Sequence, residues 1–230
     1  MRSLWHTTGL LVAKDLRIEW RSRVGMTQIA SFALLVLFLF AFALGLEPGV
    51  LEAATPGLLW VTVLLSLLLA VGRSVLFETS DGALDGLRLA GLEPGGIFLG
   101  KAVALLVQLV VLVVVLVVGV VVFYEAGVPA KGVVLLVTSA LLACIGLAAT
   151  GTLYGALSAG MRARETLLPL LLLPAVAPVL IGSTRAFEAA MGTTDVTTSE
   201  GWPWVGLLAV FAALYVAVGL VAYGPLLEDS

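Results

Sequence analysis

Charge is scarce in this chain. Asp, Glu, Lys and Arg make up 12% of it against 61% hydrophobic residues, and its mean hydropathy is +1.16. A water-facing surface needs roughly twice that share of charge, so composition excludes an ordinary soluble domain and places the chain in a bilayer. Cys144 is the single cysteine and sits inside an apolar run, which excludes an intramolecular disulfide and a thiolate metal site. His6 is the single histidine; with no second imidazole, bis-imidazole metal ligation and a multi-histidine zinc set are excluded as well. No Gly-x-x-x-x-Gly-Lys-[Ser/Thr] sequence is present, so the chain does not hydrolyse ATP by the P-loop route. The absence of His-Glu-x-x-His and Gly-x-Ser-x-Gly argues against an intramembrane protease or hydrolase. No ionisable residue falls deep within an apolar run, which argues against a proton relay and an ion-coupled transporter. A formal charge of -3 without a basic patch gives no reason to expect nucleic acid.

What the chain has is long apolar runs. Six reach or approach the ~20 residues that a helical span needs: Val24 to Leu46, Leu58 to Phe77, Ala102 to Tyr124, Val133 to Ala159, Leu167 to Ile181 and Val205 to Leu227. They show no inside-outside alternation, which excludes a β-barrel. The first run follows a charged 23-residue segment and lacks a small-residue cleavage pattern, so it is expected to be a retained span. The fifth is the ambiguous one, because it is short and holds Pro169, Pro174 and Pro178. It either continues outward through Ser183 to Met191 or is re-entrant. The segment from Gly192 to Gly201 reads as an exposed outer loop. The fold expected is all-α: a single membrane domain, residues 1–230, with six transmembrane helices.

The twelve Lys and Arg residues set the orientation. Arg2, Lys14, Arg17, Arg21, Arg23, Arg73, Arg88, Lys101, Arg162 and Arg164 fall on one side of such a bundle, and Lys131 and Arg185 on the other. The positive-inside rule then predicts that both termini are cytoplasmic, and the connection Glu78 to Lys101 with them.

Three segments carry pattern beyond hydrophobicity. As a helix, the stretch after Glu78 places Asp81, Asp85 and Arg88 on one face, Leu84 and Leu87 on an adjacent strip, and Gly82, Ala83 and Gly86 on a third. Such a helix has a face for the bundle and another for a soluble partner; the same charges would equally serve a solvated hairpin kept out of lipid. Pro94-Gly95 suits the centre of a type II turn leading back to the membrane. In residues 1–23, Lys14, Arg17 and Arg21 form a basic stripe beside Leu16 and Trp20, the pattern of an amphipathic helix at the membrane interface. In the fourth run Gly151, Gly155 and Ala159 recur every four residues, which permits close helix approach either within one subunit or between two. Gln108 and Tyr154 are the notable polar side chains within the runs, each expected to bond another helix.

Taken together, Ala13-Lys14-Asp15-Leu16-Arg17, Pro56-Gly57-Leu58-Leu59-Trp60-Val61, Glu78 with Asp81 to Leu87, Ile97-Phe98-Leu99-Gly100-Lys101 and Arg162 through Pro174 resemble the heme exporter B family, the permease subunits of bacterial cytochrome c maturation. Gly72 and Thr79-Ser80 depart from the more polar residues expected there. The resemblance implies an ABC-2-type permease in the inner membrane that binds no cofactor itself. It implies partners: a cytoplasmic ABC ATPase, a tryptophan-rich heme-handling membrane subunit, a small membrane subunit and a periplasmic heme chaperone. ATP and heme would be handled by those partners, and two copies of the chain would match two ATPase protomers. On this reading Glu78, Asp81, Leu84, Asp85, Leu87 and Arg88 couple to the ATPase, and hydrolysis drives release of the heme-loaded chaperone. A general ABC-2 exporter of lipid, polysaccharide or drug, and a non-transporting membrane scaffold, are the rival readings.

Overall fold

The computed structural model describes residues 4–22, 24–45, 48–80, 92–124, 126–159, 164–193 and 196–229. Within them the chain forms seven α-helices and a 3₁₀ turn, with no strand among the described residues. The helices are α1 (Leu4–Ser22), α2 (Val24–Ala43), α3 (Pro48–Ser80), α4 (Pro94–Phe123), α5 (Val133–Ala159), α6 (Arg164–Met191) and α7 (Thr198–Asp229), with Ala130–Gly132 as the turn entering α5. Six, α2 to α7, are long and apolar enough to cross a bilayer, and the chain is a multi-pass membrane protein. They alternate in direction, so α1, the starts of α2, α4 and α6 and the ends of α3, α5 and α7 share one end of the bundle, here called the α1 end.

The bundle has a centre and a rim. In α3, 61% of the residues in the apolar stretch are buried, against 17% in α2. Helix α3 touches α2, α4, α5 and α6, whereas α5, α6 and α7 pack against one another as a triad. Trp60 of α3 is fully buried and meets Phe187 of α6 edge-on at 5.1 Å, an arrangement that aromatic quadrupoles favour. At the end away from α1, the Tyr124 hydroxyl donates to the Leu37 carbonyl at 2.6 Å, tying the exit of α4 to α2.

Small residues set how closely the helices approach. Gly151 and Gly155 of α5 face Val71 of α3 in the same chain, and a Cβ at either position would come within 3.0 Å of a Val71 methyl. This small-residue face therefore packs inside the subunit. Gly146, on another side of α5, receives the Phe211 ring of α7.

Several expected boundaries move. The fifth span is one continuous helix of 28 residues, about 42 Å long, so it continues to Met191 and is not re-entrant. Its prolines are tolerated because α6 packs against α3, α5 and α7, in a bundle where freed carbonyls find other donors. Pro94 and Gly95 open α4 instead of centring a turn: Glu93 is extended as N-cap and Pro94 takes a first-turn position, where its missing N–H costs nothing. Helix α7 begins at Thr198, inside the expected outer loop, and the Glu200 side chain reaches back to cap its start at Thr197. The Thr197 amide and hydroxyl donate to the Glu200 carboxylate at 3.3 and 2.7 Å.

Candidate functional site at the α1 end

Helix α1 is keyed into the bundle through α4. Thr7 and Leu11, one turn apart on α1, are buried against the glycines that open α4. A Cβ on Gly96 would lie 2.7 Å from Thr7 Cβ, and one on Gly100 would lie 2.6 Å from Leu11 Cβ, so any larger residue at either position must push the helices apart. Thr8 Oγ1 donates to the Leu4 carbonyl at 2.9 Å and reaches the Gly96 carbonyl at 3.4 Å. Away from that contact α1 exposes Trp5, while Val12 and Leu16 are half-buried. Lys14 and Arg17 are exposed on a further side, and Lys14 pairs with Asp15 at 3.1 Å. That division suits a helix fixed to protein on one side and lying at a membrane surface on the others.

The same turns of α4 reach α7. Phe98 sits against Gly219, where a Cβ would collide with its ring, and packs at 5.6 Å from Tyr223. Leu11, Ile97, Phe98, Ala102, Ala149, Leu153 and Tyr223 form a hydrophobic cluster separate from the main core. Helices α1, α4, α5 and α7 are thus joined at this end by a core of their own, and α4 enters it directly from the segment that follows α3.

Polar contacts complete the corner. Arg73 near the end of α3 donates to Gln28 Oε1 of α2 at 3.2 Å, and the Glu19 and Arg73 side chains both crowd Gly25 at the start of α2. Arg73 therefore joins helices, beyond the snorkelling that its position near the membrane surface suggests. Gly95, Gly100 and Lys101 match the first part of a P-loop, but Ala102 stands where Ser or Thr is required and all four lie within α4. No loop is present there to cradle phosphate. Among the described residues no group of His, Cys, Asp and Glu forms a metal site.

A family model described as CcmB protein matches residues 7–228. The chain belongs to the CcmB family. It is similar to "Heme exporter protein B" of Paracoccus denitrificans, 34% identical over 82% of this chain and 86% of that protein. The protein of the same name from Haemophilus influenzae is 32% identical over 94% of this chain and 92% of its own length. That from Pseudomonas aeruginosa is 29% identical over 89% and 87%.

In this CcmB chain the sequence-derived residues fall out unevenly. Glu78 lies on the last turns of α3, with its side chain outside the described residues, and Asp81, Leu84, Asp85, Leu87 and Arg88 lie outside them altogether. Lys14, Arg17, Trp20 and Arg21 all belong to α1, the last two without described side chains. Ala159 ends α5. Sequence reasoning missed Gly96 and Gly100, whose spacing, continued by Ala104, is the same small-residue repeat that drew notice to Gly151. It missed Phe98 and Gly219 because nothing local marks a glycine as the seat of a ring from another helix.

Proposed function

We propose that this chain is the permease subunit of an ABC-type complex that delivers heme for c-type cytochrome maturation, coupling a partner's ATP hydrolysis to release of a heme-loaded periplasmic chaperone. The observation that carries the reading is the match to the CcmB family over residues 7–228, joined to six potential spans and a surface helix. The chain lies in the bacterial inner membrane with both termini and the α3–α4 connection in the cytoplasm, an orientation that the distribution of Lys and Arg supports. The ATPase docks on that connection through Glu78, Asp81, Leu84, Asp85, Leu87 and Arg88. A push there enters α4 at Pro94 and passes through the glycine-seated contacts to α1 and α7. Heme is handled by a tryptophan-rich membrane subunit with a small membrane subunit beside it. Two copies of the chain match two ATPase protomers.

Affinity purification of the complex tests this directly. Asp85→Lys is expected to lose most of the co-purifying ATPase while membrane insertion is unchanged, and ATP is expected to release heme-loaded chaperone from the intact complex. An ATPase yield unchanged across Asp81→Lys, Asp85→Lys and Arg88→Glu would remove the docking assignment. Labelling of a cysteine at position 85 from the periplasm would remove the topology.

A further inference from the structure

Three sides of α1 meet three different surroundings. Leu4, Thr7 and Leu11 fall along one line of the helix and face Gly95, Gly96 and Gly100 of α4. At about 100° per residue, Trp5, Val12 and Leu16 lie within roughly 40° of one another, about a third of a turn from that line. Trp5 is 78% exposed, and Val12 and Leu16 are half-buried. Lys14 and Arg17 are exposed on the remaining side, with His6 in the same sector. Orientation by positive charge needs cations on one side of the membrane but no particular register. Here they occupy one strip of a helix whose second strip is apolar and whose third is clamped to protein. That register sets the apolar side chains among acyl chains while the long cationic stems reach phosphate level. Lys14 lies 3.1 Å from Asp15, but an ion pair this exposed contributes little and exchanges readily. Arg17 has no ion pair among the described residues.

We infer that α1 is a binding surface for anionic phospholipid, and that headgroup phosphates on Lys14 and Arg17 hold the helix in its glycine seat on α4. Lying at a membrane surface requires no particular lipid; a basic strip with an unpaired arginine selects a negatively charged one. The strip and the seat are on different sides of α1, so lipid adds to the seat without competing for it. Gly96 and Gly100 belong to the first turns of α4. Lipid that holds α1 therefore also fixes where α4 enters the bundle. The inference needs only that α1 lies at the membrane surface and stands apart from the heme reading.

Hydrogen exchange decides it, on the protein purified with its bound subunits and placed in nanodiscs of phosphatidylcholine alone or mixed with phosphatidylglycerol. In the anionic discs exchange across residues 4–22 is expected to slow by about fivefold to twenty-fivefold, roughly a factor of five for each cation. The slowing is expected to vanish in Lys14→Gln combined with Arg17→Gln and at high salt, to survive largely in Arg17→Lys, and to spare the outer ends of α5 and α7. Equal exchange in the two lipids overturns the proposal. So does a double variant that loosens α1 equally in both, which would give the strip to a protein partner. Lipid-dependent protection with no ATP-driven chaperone release in either disc would leave this surface standing and remove the permease reading.

Discussion

Gly100 marks the point where one side chain decides whether a helix stays attached, because Leu11 occupies the volume that any Cβ would need. Gly100→Val is expected to destabilise the folded bundle by about 1–3 kcal/mol, the usual cost of overpacking, and to expose α1 to protease. Thermal unfolding in detergent with limited proteolysis measures both. Gly9→Ala is the contrasting case: nothing lies near its added methyl, so helix propensity predicts unchanged or slightly raised stability, by up to about 1 kcal/mol. Gly219→Ala should be as damaging as Gly100→Val, and Phe98→Leu in the same chain should recover part of the loss by vacating the space. Equal stability of Gly219→Ala with and without Phe98→Leu would show that the ring is not what fills the notch. The Gly151 repeat was legible because its period lies within one helix; the Phe98–Gly219 pair was not, since its members are far apart in sequence.

At the scale of elements, length and hydropathy located every span, while local chemistry at helix ends displaced their limits. The Thr-x-x-Glu spacing of Thr197 and Glu200 is a helix-start signature in its own right, yet its Thr, Ser and acid content reads equally as loop. Glu200→Ala, which leaves the Thr197 amide without its carboxylate, is expected to cost about 1 kcal/mol and to fray the first turn of α7, seen as faster amide exchange around residues 198–201. In α6 the prolines obscured a continuous helix, because their penalty was weighed without the contacts that α6 makes with α3, α5 and α7. Accessibility to aqueous thiol reagents should therefore be low for Ile181→Cys and high for Arg185→Cys, nearer the helix end, both on exposed sides of α6. Labelling at 181 as strong as at 185 would instead describe a hairpin. For α1 the sequence disclosed a basic, amphipathic helix but not its glycine-lined seat on α4, because that contact depends on a second helix.

At the scale of the molecule, a separate core at the α1 end links α4, and Leu92 just before it, to α1, α5 and α7, while the main core draws on all six long helices, α2 to α7. A partner's push arriving at Pro94 would enter the bundle there. The most direct measurement is covalent-heme staining of c-type cytochromes in cells with a clean deletion of this chain, with and without the chain restored. The account predicts that the c-type bands vanish while non-covalent b-type heme persists, that heme-loaded chaperone accumulates at the membrane, and that the restored chain returns the bands. Normal c-type bands in the deletion, accompanied by a defect in lipid or polysaccharide export, would contradict it.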